Sequence, residues 1–124
     1  MENEKFINNY EFSNKWEYEC TFMIKENPGY AITIWSRYIN DIMNHKAENT
    51  DITIGLSRDW AQKIGPYKSN SFDIIDANEY LEDLKQYVFS PDFSFDETDD
   101  ALGLIISFLE FARENDYTVI ARLK

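Results

Sequence analysis

From Lys15 to Lys25 apolar and polar positions alternate: Trp16, Tyr18, Cys20, Phe22 and Ile24 fall on one side, Lys15, Glu17, Glu19, Thr21 and Lys25 on the other, with Met23 the one exception. A period of two over this length predicts a half-buried strand. Asn27, Pro28 and Gly29 follow with strong turn chemistry and are expected to end it. From Tyr30 to about Lys46 the period becomes helical, Ile34, Tyr38 and Ile42 forming one stripe with Trp35, Ile39 and Met43 beside it, which predicts an amphipathic helix. After the polar stretch Asn44 to Thr50, Ile52, Ile54 and Leu56 alternate with Thr53 and Gly55 and predict a second strand over 51–57. Arg58 to Ile64 reads as a short helical turn stopped by Gly65 and Pro66.

Asp76 is placed to cap a helix from Ala77 to about Phe89, with Leu81, Leu84 and Val88 as the buried stripe and Glu79, Glu82, Asp83 and Gln86 facing out. Ser90, Pro91 and Asp92 break it, and Phe93 to Asp96 reads as a loop or short extended piece. Asp99 to Asn115 is apolar around most of its circumference, so it predicts a helix inside the fold, capped by Thr98 or Asp99. Tyr117 to Leu123 alternates again and predicts a closing strand. This order predicts an α+β fold in a single domain over residues 1–124, with a small, mostly antiparallel sheet of about three strands packed with three to four helices.

With 44% hydrophobic and 16% aromatic residues, the chain is expected to fold without metal or disulfide staples. The lone Cys20 cannot form an internal disulfide, and the N-terminus lacks the basic-then-apolar layout of a secretory leader, so a reducing, cytoplasmic setting is expected. The longest apolar run, Ala101 to Leu109, is broken by Gly103 and Ser107 and is about half the roughly 20 residues needed to cross a bilayer.

Catalytic chemistry finds no foothold. The only histidine, His45, falls near a predicted helix end, where a cationic side chain suits the dipole. Cys20 shares a face with Trp16, Tyr18 and Phe22 and reads as a core thiol. One Cys and one His cannot build a structural zinc site. Asp92, Asp96, Glu97, Asp99 and Asp100 lack the spacing, central Gly and terminal Glu of a calcium loop. The four glycines, at 29, 55, 65 and 103, form no phosphate-cradling turn. With 23 acids in the chain, a close carboxylate pair arises by chance and carries no information. No catalytic residue, metal or cofactor is expected, and the chain reads as a binding protein rather than an enzyme.

Charge changes the picture most. The formal net charge is −11, which repels nucleic-acid phosphates and anionic lipid and attracts cationic proteins. Between Asp73 and Asp100 lie ten acids against the single base Lys85, whereas the other 96 residues carry 13 acids and 11 bases. Like charges at helical spacing, such as Glu79 and Asp83, oppose folding by a few tenths of a kcal/mol each, and capping accounts for part of the cluster only. The expected partner-binding residues are therefore Asp73, Asp76, Glu79, Tyr80, Glu82, Asp83, Tyr87, Asp92, Asp96, Glu97 and Asp100, the two tyrosines supplying aromatic contact beside the acids. Phe93 and Phe95 follow the acidic helix and read better as flanks of its core stripe.

A short, acidic, motif-free α+β chain with an acid-rich helix and loop from Asp73 to Asp100 resembles the immunity proteins of bacterial polymorphic toxin systems, in particular those of contact-dependent growth inhibition. The resemblance implies a cytoplasmic monomer or weak dimer that neutralises a cognate toxin domain with a basic, nuclease-like surface; it carries no specific motif and no residue roles. Two alternatives stand beside it. One is a nucleic-acid mimic of the anti-restriction or anti-CRISPR type, which would spread its acids more evenly. The other is an adaptor or subunit of a complex, which would expose a large apolar patch, for example around Trp35 and Trp60.

Overall fold

Residues 9–12, 19–44, 54–63, 73–89 and 93–123 are described by the computed structural model. They form five strands, β1 (Asn9–Phe12), β2 (Glu19–Ile24), β3 (Asn27–Trp35), β4 (Asp73–Ile75) and β5 (Val119–Leu123). The helices are α1 (Ser36–Asn44), α2 (Gly55–Lys63), α3 (Ala77–Gln86), extended by a 3-10 turn at Tyr87–Phe89, and α4 (Asp96–Glu114). The strands make one sheet in the order β1-β3-β2-β5-β4, in which β1 runs parallel to β3 and every other pairing is antiparallel. The fold is α+β, as the patterning predicts, with a sheet wider than the expected three strands.

Cys20, Phe22 and Ile24 of β2, Ile32 and Ile34 of β3, and Val119 and Ala121 of β5 are buried together with helix residues Ile39, Ile42, Leu81, Leu84, Ile105 and Phe108 in one core. The period-two side of β2 thus faces the helices, as expected. Its Lys15–Tyr18 portion lies outside the described residues, as do His45, the 51–53 part of the second expected strand, and Asp92.

Four expectations are corrected. Tyr30 to Trp35 is strand, and the helix begins only at Ser36. The apolar spacing there fits both periods, and the β-branched run Ile32-Thr33-Ile34 packs better on a pleated surface, between β1 and β2. The chain reverses at Lys25-Glu26, so Asn27, Pro28 and Gly29 open β3 instead of forming the turn. Gly55 to Ser57, expected as strand, is the first turn of α2. Val88, expected in the buried stripe of α3, is 53% exposed, whereas Tyr80, Asp83 and Tyr87 go inside.

β1 and β4 were not anticipated; each is only three or four residues long, too short for alternation to register. None of the described helices is long and apolar enough to cross a membrane.

Candidate functional site

Asp76 has extended backbone and its side chain accepts from the N–H groups of Asn78 (3.0 Å) and Glu79 (3.2 Å). This is the N-cap that the sequence predicts. From it, α3 runs with Leu81 and Leu84 buried and Glu82 and Lys85 exposed. Glu79 is half-buried, and its carboxylate receives both arms of the Arg58 guanidinium at 3.0 and 3.2 Å, while Arg58 Nε lies 3.1 Å from Asp59. Asp59 in turn accepts from the buried Tyr80 hydroxyl. Burial, reinforced by the Asp59 contact, drives the Tyr80 phenol far above its ordinary value.

Asp83, expected on the outer face, is 0% exposed. Its carboxyl group accepts from the Ser57 N–H at 2.6 Å, the Ser57 hydroxyl at 2.7 Å and the Gln86 amide at 3.1 Å. Ser57 Oγ also lies 2.7 Å from the buried Tyr87 hydroxyl. Asp83 therefore caps the N-terminus of α2 from α3, giving the buried carboxyl the donors its burial requires. The close approach depends on Gly55, at φ +58°, whose missing side chain would sit 2.7 Å from Asp83 Cβ. Tyr80, Asp83 and Tyr87 thus join α2 to α3 and are not part of the exposed acidic surface.

Asp41 of α1 plays a related part just ahead of α4, holding the two residues that lead into the helix and the hydroxyl of Thr98 in its first turn. It is 4% exposed and accepts from the N–H groups of Ser94 and Phe95, each at 3.0 Å, and from the buried Thr98 hydroxyl. The residue at the N-cap position of α4 is Phe95, with no side-chain cap of its own, so neither Thr98 nor Asp99 caps the helix as expected. Neither buried aspartate is detectable in this role in the sequence, because each serves a helix start remote along the chain.

The acids left on the surface fall into two groups. Asp96, Glu97, Asp99 and Asp100 are all exposed within the first five residues of α4. Asp76 and Glu82 belong to α3, whose first residues line a groove with Arg113, Asp116 and Tyr117 at the far end of α4. Lys85 of α3 pairs with Glu110 at 3.0 Å, and at 1.5 Å per residue Glu110 lies about 21 Å along α4 from Asp96. The charge that is continuous in sequence is divided in space. Asp73 is the first residue of β4.

Beside the first turn of α4 stands an aromatic corner. Trp35, Tyr38 and Phe95 are half-buried, with ring centroids 5.3 Å apart for Trp35–Tyr38, 6.3 Å for Trp35–Phe95 and 6.0 Å for Tyr38–Phe95. The Arg37 guanidinium lies 5.2 Å from the Trp35 ring centroid, within cation–π range. Burial, with the nearby Glu97 charge adding to it, raises the Tyr38 hydroxyl above its ordinary value. Phe93, by contrast, packs against the core. Sequence reasoning named Trp35 and Phe95 separately and missed their meeting, which the strand-to-helix junction at Trp35–Ser36 brings about.

Among the described residues no three His, Cys, Asp or Glu side chains converge as a metal site. Comparison of the chain with protein families, characterised proteins and solved structures found no match.

Proposed function

We propose that the chain is a binding protein that neutralises a cognate toxin domain, basic and nuclease-like, through an acidic surface, in the manner of immunity proteins and in the cytoplasm. The observation that supports this reading is the first turn of α4. A helix N-terminus carries about half a positive charge, and here it faces the buried Asp41 plus four exposed carboxylates at Asp96, Glu97, Asp99 and Asp100. The dipole offsets only a fraction of that charge. The remainder presents a negative surface to solvent, suited to steering a Lys- and Arg-rich partner. Gathering of these acids in one turn also favours a local patch on a protein partner over a phosphate-like row that would mimic nucleic acid.

The test is growth rescue together with binding kinetics. Co-expression of the chain with a growth-arresting, basic nuclease-like toxin domain from a neighbouring gene should restore growth. Reversing Asp96, Glu97, Asp99 and Asp100 to Lys should slow association by at least about tenfold at low salt and flatten its salt dependence, given the 10- to 1,000-fold range of electrostatic steering. Unchanged association and salt response in that variant sinks the proposal.

A further inference from the structure

We infer that the Trp35–Tyr38–Phe95 corner is the seat of an arginine side chain from the basic partner protein, with Glu97 as its carboxylate and Arg37 as the internal occupant it replaces. The inference rests on the acidic-surface reading above and adds a place and a residue type to it. Three rings meet at this corner without closing it: each remains half-buried, although fully buried aromatic side chains such as Phe22, Tyr80 and Phe108 are available to the same core. The Trp35 face already holds a guanidinium, that of Arg37, 5.2 Å from its centroid, so the geometry for a stacked arginine exists. Arg37 itself is exposed, and the cation–π part of its contacts is weak at a surface.

One further feature points to an incoming side chain. Alongside runs a groove of about 260 Å³ between α1 and the start of α4, lined by Arg37, Asn40, Asp41, Asn44, Ser94 and Phe95, room for a side chain or two rather than for the larger ligands that fill sites of about 300–1,000 Å³. Charge complementarity selects the occupant. Asp96, Glu97, Asp99 and Asp100 are exposed in the stretch that directly follows Phe95, and a planar guanidinium, unlike a lysine ammonium, stacks on rings while forking to a carboxylate.

The experiment uses the whole chain, with hexa-arginine and hexa-lysine peptides as probes of equal charge, followed through the indole N–H resonance of Trp35, which is assigned with Trp35→Phe. Hexa-arginine should bind about two- to fivefold more tightly than hexa-lysine and shift the Trp35 resonance; Tyr38→Ala should abolish the preference. Arg37→Ala, at an exposed position, removes the occupant and should widen the preference for hexa-arginine beyond the gain in affinity that both peptides share. Equal, salt-sensitive binding of both peptides with an unmoved Trp35 resonance overturns the corner and leaves the acidic surface standing. Failure of both peptides to bind at low salt overturns the acidic surface and the corner with it.

Discussion

Replacing Asp83 with alanine separates a role in folding from one in binding. The carboxyl group is 0% exposed and takes donors from Ser57 N–H, the Ser57 hydroxyl and the Gln86 amide. After the substitution the Ser57 hydroxyl still has Tyr87 and the Gln86 amide still has the residue 83 carbonyl. The Ser57 N–H, in the first turn of α2, loses its acceptor, at about 1–3 kcal/mol for a buried group left unpaired. Deleting the buried side chain adds about 1 kcal/mol of lost packing, for a total of about 2–4 kcal/mol. At roughly 3–5 °C per kcal/mol for a chain of this length, the thermal midpoint should fall by roughly 6–20 °C, read by circular dichroism and by urea titration with an unchanged slope. Glu82→Ala, one residue away and exposed, should stay within about 0.5 kcal/mol of the parent. A loss below about 1 kcal/mol for Asp83→Ala, or equal losses for the two variants, would refute the assignment of Asp83 as a cap for α2.

Gly55→Ala should be as damaging, at about 2–4 kcal/mol in the same urea assay, because it places a Cβ 2.7 Å from Asp83 Cβ and 2.8 Å from the Glu79 carbonyl oxygen at φ +58°; near-parental stability would show that α2 approaches α3 less closely. Tyr80 should make the fold sensitive to base. Burial raises its phenol above the ordinary value of 10.0, so above that pH the unfolded chain releases a proton that the folded chain keeps; its contribution is complete below about pH 10 and is lost as the pH rises, by up to about 1.4 kcal/mol per pH unit. Tyr80→Phe should therefore lose stability less steeply than the parent between pH 10 and 12, and parallel pH profiles for the two proteins would count against the buried phenol.

Local signals carried much of the fold. The alternation in β2 and β5, the Asp76 cap of α3 and the apolar circumference of α4 each depend on neighbours within a turn or a few residues, and each appears where the sequence places it. Tyr30 to Trp35 failed because a run of six residues satisfies both periods, and only pairing with β1 and β2 selects the strand. The acidic segment is legible as charge and not as surface: the same helical face that the i,i+4 spacing of Glu79 and Asp83 suggests is exposed instead meets α2. Glu79 there pairs with Arg58 and Asp83 is enclosed by Ser57.

By itself, then, the sequence determined the α+β class, the two longest helices and the excess of negative charge, because propensity, hydrophobic period and net charge are sums over local residues. Tertiary structure alone decided which acids face water. Asp41 and Asp83 are chemically the same as Asp96 and Asp100, yet the first two lie inside because backbone N–H groups at or just before helix starts elsewhere in the chain reach them. The other two stay on the surface, at the start of a helix whose lead-in residues Asp41 already holds. The aromatic corner has the same origin, since Trp35, Tyr38 and Phe95 meet only where the end of β3 turns into α1 against the start of α4.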